Sequence, residues 1–229
     1  MKKWILSFAV IAILVTVLKT SAYSQRFTAG GKIGLGLSRL SNWDYRSSES
    51  EDNQRSTLAG LQVSLIGKYK INKLLGLQAE LQYIQKGEGK ENTGSPEIPY
   101  KAKLRLKYLT LPLMATVTHS FGKIVVYGNL GLYFGYATGA VTVVKEPIES
   151  KTSKFFGDGA LRGFDMGLCI GAAAGYPFGP GNIIFDIRYD LGFIDIYRTP
   201  DRLQGTNYKA TCNRTFGMAV GYLIPLGKH

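Results

Sequence analysis

A period-two alternation of side chains over residues 163–193 constrains the fold more than any other feature of this sequence. In its first half, Phe164, Met166 and five further apolar residues occupy every second position, with Gly, Asp, Cys or Ala between them. The segment PFGPGN, whose composition is typical of a turn, follows, and the alternation resumes over residues 183–193. The period predicts two strands, and the short turn joins them as an antiparallel hairpin. One face is hydrocarbon with aromatics near its ends and the other is polar or small, which favours a strand between lipid and a lumen.

The amino-terminal segment has the layout of a secretory signal peptide. Lys2 and Lys3 precede an apolar run, and Ala22 and Ser24 provide small residues for cleavage before Gln25. The apolar run is shorter than the roughly 20 residues of a spanning helix, so cleavage is favoured over a retained anchor. We therefore predict a signal peptide at residues 1–24 and a single outer-membrane β-barrel domain at residues 25–229.

Charge and hydropathy agree with this class of protein. The formal charge is +12, and subtracting the signal lysines Lys2, Lys3 and Lys19 leaves +9 on the mature chain. The mean hydropathy is −0.01. A helical membrane protein would be far more apolar, whereas strands that alternate apolar and polar residues average to a neutral value.

The alternation recurs along the chain in eight predicted strands. They cover residues 28–37, 58–69, 74–86, 101–118, 123–140, 163–176, 183–193 and 211–224. Three connections are short (70–73, 119–122 and 177–181), and the other four (38–57, 87–100, 141–162 and 194–210) are each roughly 14 residues or more, which is long for a hairpin. Outer-membrane barrels have short periplasmic turns and long external loops. The sequence thus predicts an all-β, eight-stranded, antiparallel up-and-down transmembrane barrel of the OmpA and OmpX kind, with both termini periplasmic.

The fourth predicted strand begins with a run of basic residues at alternate positions. Lys101, Lys103, Arg105 and Lys107 share their phase with the leucines that follow. One charge facing lipid near the midplane costs about 2–4 kcal/mol, so these four cannot lie in the hydrocarbon. Either the strand projects beyond the membrane or a bulge near residues 108–110 switches its faces. We favour projection, because a membrane strand needs only about 9–11 residues, and we expect the four residues to contact anionic lipid or an acidic partner.

Polar residues collect on the inward phase of the predicted strands. An eight-stranded barrel is just wide enough for side chains to fill it, so a plug of paired charges is favoured over a substrate channel. The sixth strand contributes only Gly, Cys and Ala to this face, which leaves room for long partners such as Arg188 and Tyr133. The predicted lumenal network consists of Lys32, Gln62, Gln78, Glu80, Asp186, Arg188 and Asp190.

The sequence offers little for catalysis. His119 falls in a predicted periplasmic turn and His229 is the last residue, so neither reaches the outer rim as a general base. Metal, phosphate-loop and nucleophile-elbow motifs are absent from the sequence, and we expect no catalytic residue, metal or cofactor. Cys169 and Cys212 lie at different heights on strands that are not adjacent, which predicts two unpaired cysteines.

Two short segments resemble the PorT-like outer-membrane β-barrel family. They are Tyr108-Leu109-Thr110-Leu111-Pro112-Leu113 in the fourth predicted strand and Arg188-Tyr189-Asp190-Leu191-Gly192 in the seventh. The resemblance spans essentially the whole mature chain. It implies an outer-membrane barrel, and some relatives are implied to assist protein secretion across that membrane.

These features predict a non-enzymatic barrel that acts through its basic outer loops, in binding or in envelope or secretion assembly. The expected partner is outer-membrane lipid, because Arg and Lys pair with phosphate, and envelope or secretion-system proteins are the second candidates. Export argues against nucleic acid, which would use the same charges. Two alternatives stay open: a narrow porin-like channel for small solutes, and an outer-membrane lipid-modifying enzyme.

Overall fold

The computed structural model describes residues 26–41, 53–92, 101–145, 149–154, 161–197 and 210–226. Side chains are described throughout these ranges except at 53–55, 90–92, 101–102 and 142–154. The predicted signal peptide at residues 1–24 and His229 lie outside the described residues. Among the described residues, no helix is long and apolar enough to cross a membrane.

The described residues form nine strands, and each of the eight predicted strands is found among them. The strands are β1 (Phe27–Leu40), β2 (Asn53–Lys70), β3 (Leu75–Asn92), β4 (Lys101–Phe121), β5 (Ile124–Lys145), β6 (Glu149–Lys154), β7 (Phe164–Phe178), β8 (Gly181–Gly192) and β9 (Asn213–Pro225). All pairings between them are antiparallel.

Eight of these strands close into a barrel. The ring runs β1-β2-β3-β4-β5-β7-β8-β9 and returns to β1. Strand β6 is not a member of the ring, and it pairs with residues 140–145 at the end of β5. When the register is followed once around the ring from Phe27, it returns to β1 at Leu37, a stagger of ten residues. A stagger of this kind tilts the strands, typically by about 35–45° from the barrel axis. The predicted fold class is confirmed.

The predicted connections need correction at several places. The segment 141–162 was expected to be a loop, but β5 continues to Lys145 and β6 follows it. The segment 87–100 contains the end of β3, which runs to Asn92. His119 was expected in a turn, whereas it lies within β4, where it pairs with Val126. The apolar alternation marks only the part of a strand that faces lipid, so strand ends beyond the lipid were missed.

The fourth strand keeps one phase along its described side chains. Leu106, Tyr108 and Thr110 are buried, and the residues between them point outward. The irregularity falls on the neighbouring strand, since Lys107 pairs with Gly139 and Tyr108 with Ala137, which leaves Thr138 without a partner in the register. The basic residues therefore lie on the outer face of a strand that is 21 residues long. A strand of that length extends well past the hydrocarbon, which requires only about 9–11 residues.

The outer face of the ring is a continuous apolar band. Its exposed side chains include Ile33, Leu65, Leu77, Leu113, Leu130, Ile170, Phe185, Ile187 and Val220. Exposed aromatics lie at both margins of the band: Tyr136, Phe164 and Phe193 toward the long connections, and Phe121, Tyr176 and Phe178 toward the short turns. Aromatic girdles at both interfaces are typical of membrane barrels, so the band marks the hydrocarbon layer.

The faces of β8 can be tested with an arginine placed in the band. Ile187 is 38% exposed and the following Arg188 only 4%. Because Ile187 faces lipid near mid-membrane, Ile187→Arg should lower the free energy of unfolding by about 2–4 kcal/mol. Phe193→Arg is the matched control, since it places the same charge at the interface and should cost only about 0–1 kcal/mol. Urea unfolding in bilayers measures both, and equal stability of the Ile187 variant and wild type would contradict the assignment of the faces.

Candidate functional site

A network of buried charges crosses the half of the lumen that is nearer the short turns. Arg188 on β8 and Glu80 on β3 form two parallel hydrogen bonds, with Nη2 donating to Oε1 at 2.6 Å and Nη1 donating to Oε2 at 3.1 Å. From β1, Lys32 donates to the same Oε1 of Glu80 at 3.1 Å and to Asp186 Oδ1 at 2.8 Å. The three strands lie around the ring, so the network joins separate walls of the barrel. In a low dielectric such pairing is required, because an unpaired ion inside is strongly destabilising.

Small residues on the facing strands make room for these long side chains. A Cβ added at Gly167 would lie 2.7 Å from Tyr133 Cε1, and one at Gly171 would lie 3.5 Å from Arg188 Cβ. On β9, a Cβ at Gly217 would lie 3.0 Å from Gln62 Oε1. The vacancy expected on β7 is therefore occupied by Tyr133 at Gly167. At Gly171 a Cβ would only be in ordinary contact with Arg188, and its close neighbour would be the Ile187 carbonyl oxygen at 2.7 Å.

The remaining predicted lumenal residues are buried but differ in their contacts. Gln78 donates from Nε2 to Glu80 Oε1 and so belongs to the network. Gln62 instead donates to the backbone carbonyl of Met218 at 3.3 Å. Asp190 is 5% exposed, and its Oδ1 has no hydrogen-bond partner among the described residues. The structure thus brings together five of the seven predicted residues: Lys32, Gln78, Glu80, Asp186 and Arg188.

A second buried cluster lies toward the long connections and was not predicted. Asp165 Oδ2 accepts hydrogen bonds from Asn213 Nδ2 at 2.9 Å, from Tyr133 OH at 3.1 Å and from Lys86 Nζ at 3.3 Å. Lys86 also lies over the Tyr133 ring, 4.1 Å from its centroid. The inward phase of β3, followed two positions beyond Ile84, would have found Lys86. Asp165 was already on the inward phase of the hairpin.

Apolar clusters close the polar lumen at both ends. Ile66, Ile184 and Leu223 pack together near the short turns, with Tyr127 against them. Toward the long connections, a larger apolar cluster comprises Leu40, Ile84, Leu106, Tyr108, Ala137, Ala140 and Ile196. Ile196 follows β8 and is 2% exposed, so the β8–β9 connection covers the barrel mouth at this point. The polar network is thereby enclosed between two hydrocarbon layers.

The basic residues of β4 lie on the outer face. Lys103 is exposed, and Arg105 and Lys107 are half-buried. Lys101 begins the strand, but its side chain is outside the described part of the structure. Leu109 is the next outward residue and is 44% exposed, so the basic run ends where the apolar band begins.

The histidine and cysteine residues within the described ranges do not form a catalytic arrangement. His119 is exposed at the short-turn end, where its ring lies 4.5 Å from that of Phe121. Cys169 and Cys212 are both free and buried, which confirms the predicted absence of a disulfide. Burial raises the pKa of the Cys212 thiol, which disfavours the nucleophilic thiolate.

Comparison with known protein families agrees with this architecture. Residues 20–198 match the family model described as outer membrane protein beta-barrel domain. The chain belongs to this family. It is therefore an outer-membrane β-barrel protein, and its location is the outer membrane.

Solved structures of other barrels are similar to this outer-membrane protein at low identity. They include OprG from Pseudomonas aeruginosa (14% identity, 88% of this chain and 97% of that chain, TM-score 0.48). Neisserial surface protein A (13%, 87% and 96%, 0.42) and Ail from Yersinia pestis (14%, 87% and 99%, 0.40) are further examples. A comparison with curated proteins gives no significant match. Similarity at this level identifies no shared function.

The lumenal ion pair of the barrel can be tested by a double-mutant cycle. Glu80→Ala or Arg188→Ala leaves the other charge buried and unpaired, which typically costs about 3–5 kcal/mol. The double variant should cost less than the sum of the two, because both changes remove the same interaction. Urea unfolding in bilayers measures the three variants. Ser64→Ala is the control, since the buried Ser64 hydroxyl has no hydrogen-bond partner in the described structure. Simple additivity would show that Glu80 and Arg188 are energetically independent.

Proposed function

We propose that this barrel is a non-enzymatic binding or assembly protein of the outer membrane, which acts through its basic outer surface and not through its lumen. The observation behind the proposal is the contrast between the two faces. The lumen is filled by ion pairs between apolar clusters, while a row of cations lies on the outer face of β4.

The filled lumen argues against solute passage. A solute crossing the barrel would have to displace the Ile66, Ile184 and Leu223 cluster and separate Arg188 from Glu80. Breaking a buried pair typically costs about 3–5 kcal/mol, so a resting open path is unfavourable. The narrow channel is accordingly the weaker alternative.

The row of cations on β4 is suited to anionic groups. Alternate residues of a strand are roughly 6–7 Å apart on one side, so Lys101, Lys103, Arg105 and Lys107 form a regular series. Neighbouring like charges repel, and a single exposed contact is weak and screened by salt. Binding therefore depends on the row acting together. Since the row adjoins the apolar band at Leu109, anionic outer-leaflet lipid is the favoured occupant, with an acidic envelope or secretion protein as the second.

The finer family assignment belongs to the same proposal. The resemblance of residues 108–113 and 188–192 to PorT-like barrels supports a role in envelope or secretion assembly. Both described chain ends, Arg26 and Leu226, lie at the short-turn end of the barrel, which supports periplasmic termini. The lipid-modifying enzyme is disfavoured because His119 lies at the end of the barrel opposite the long connections.

Neutralising the row on β4 tests the proposed binding surface. Changing Lys101, Lys103, Arg105 and Lys107 together to Gln should leave folding intact, because they lie beyond the hydrocarbon. It should weaken binding to vesicles with anionic lipid and remove most of the salt dependence, as measured by flotation at increasing salt.

A matched control removes four charges at the opposite end of the barrel, by changing the exposed residues Arg26, Lys70, Lys73 and Lys123 to Gln. The control should keep the salt dependence of binding. If the β4 variant folds and binds like wild type, the row is merely solvated. If it binds lipid normally but loses an envelope protein from cross-linked membranes, the acidic partner is the occupant.

Planar-bilayer recordings test the closed lumen. The wild-type barrel should show no steady conductance, because the lumen is filled between its two apolar clusters. The positive control is the double variant Ile184→Ala with Leu223→Ala, which removes side-chain volume from the cluster near the short turns. Its conductance should be higher than that of the wild type. A stable open state in the wild type would favour the channel.

A further inference from the structure

Two arginines face each other across the seam between β1 and β9. Arg39 and Arg214 are direct register partners. Both point outward, because Leu40 and Asn213 beside them are buried. Directly opposed residues on one face have Cβ atoms about 4.5–5.5 Å apart, and like charges at that separation destabilise a strand pair. The seam thus brings together two cations that would gain from an anion between them.

Each guanidinium is held by one hydrogen bond and keeps other donors available. Arg39 Nε donates to Thr57 Oγ1 at 2.8 Å, and Arg214 Nη1 donates to the Gly192 carbonyl at 3.0 Å. A guanidinium has five N–H donors in a planar fork, so most of each fork remains for a ligand. Within the described ranges, neither arginine has a salt bridge to a carboxylate. As far as the described residues go, the pair is oriented without being neutralised.

The backbone around the pair is fixed on both sides. Beyond the pair, Ser41 N donates to the Cys212 carbonyl at 2.8 Å, and Cys212 N donates to Ser41 Oγ at 2.9 Å. Toward the membrane, Leu37 pairs with Phe216 and the register continues unbroken to the short-turn end. The two arginines are therefore held by rigid strands and not by a loop.

The pair lies where the apolar band meets the headgroup layer. The next outward pair toward the membrane is Leu37 with Phe216, at 37% and 38% exposure, followed by Leu35 with Met218. Phe193, from the aromatic margin of the band, follows β8 beside this seam. A molecule bound here would meet two cations at its head and an exposed hydrocarbon track below.

We propose that Arg39 and Arg214 form a clamp for a phosphate group of an anionic outer-leaflet lipid, with one acyl chain along Leu37 and Phe216. Planar guanidinium forks match phosphate geometry in a bidentate manner. A charge contact at an exposed site is weak by itself, and the buried acyl chain adds the apolar area that a free phosphate lacks. The continuous apolar track below the clamp therefore favours lipid phosphate over inorganic phosphate.

This site is separate from the row of cations on β4. The seam between β1 and β9 is separated from β4 by β2 and β3 on one side of the ring and by β5, β7 and β8 on the other. The two surfaces lie on nearly opposite walls, so each can be changed without altering the other. The clamp goes beyond the proposed function, because it defines a discrete lipid site whatever the row binds.

A local fluorescence reporter tests the clamp. Phe216→Trp places a tryptophan on the proposed acyl track. The reporter protein, which is the parent for this test, also carries Trp43→Phe, because Trp43 is the one natural tryptophan of residues 25–229 and would add its own fluorescence. The probe is a bisphosphorylated lipid with brominated acyl chains, added to the barrel in neutral detergent micelles. Quenching should be saturable in the parent, and Arg39→Gln with Arg214→Gln should shift its midpoint by roughly tenfold or more, since charge-assisted hydrogen bonds are lost.

Three comparisons decide the result. The same brominated lipid without phosphates should quench both proteins equally weakly, and inorganic phosphate at equal concentration should not displace the probe. The row variant on β4 should quench like the parent, so failure of either proposal is seen separately. Unchanged quenching in the double Gln variant, or displacement by inorganic phosphate, would overturn the lipid clamp.

Folding of the double Gln variant is checked by its urea midpoint in neutral micelles. The midpoint should equal or exceed that of the parent, because removal of opposed like charges relieves repulsion. Added bisphosphorylated lipid should then raise the midpoint of the parent more than that of the variant, since a ligand of the folded state stabilises it. Equal stabilisation of both proteins by the lipid would contradict the clamp even if the quenching data were ambiguous.

Discussion

Closure of the sheet is the constraint on which the rest of this structure depends. In hydrocarbon, every backbone N–H and C=O must find a partner within the protein, and a closed ring of strands provides one for each without an edge. Here the last ring strand, β9, pairs with β1 over thirteen residue positions, and β4 pairs directly with β5. Closure imposes the period of two, because every strand then has one face toward lipid and one toward the lumen.

Closure also determines the content of the interior. Eight strands leave space only for side chains, and ions placed there must be paired. Glu80 and Asp186 share Lys32, while the Asp165 carboxylate takes Lys86 together with two neutral donors. Glu88 accepts a backbone N–H from Leu40 at 2.9 Å. These four carboxylates are thus bound by a mixture of cations, hydroxyl, amide and backbone groups, which ties β1, β3, β5, β7, β8 and β9 together from inside. Oδ1 of the buried Asp190, in contrast, has no hydrogen-bond partner among the described residues.

The sequence predicts the faces better than the partners. Period two identifies Lys32, Glu80 and Arg188 as inward because a shift of one residue would place them in lipid. It does not reveal that Lys32 reaches both Glu80 and Asp186, since that depends on the stagger of the ring. Beyond the hydrocarbon the pattern loses its physical basis. The segment ESKTSK of β6 contains no apolar residue, so no apolar alternation predicts this strand. Glu88 was missed for a related reason, because β3 was expected to end at residue 86. Lys86 is the last position of that predicted strand and lies on its inward phase, but it was not assigned to the lumen.

The distribution of charge follows from the same constraint and limits what the protein can bind. Among the described residues, the buried carboxylates are Glu80, Glu88, Asp165, Asp186 and Asp190, and the buried cations are Lys32, Lys86 and Arg188. Of the 28 basic and 16 acidic residues in the sequence, 25 basic and 11 acidic ones therefore belong elsewhere in the chain. Setting these eight buried groups aside thus raises the positive excess of the remaining residues above that of the whole chain. A lipid-exposed band excludes charge, so cations described on the outer surface lie at its margins, as Lys103, Arg105 and Lys107 do toward the long connections.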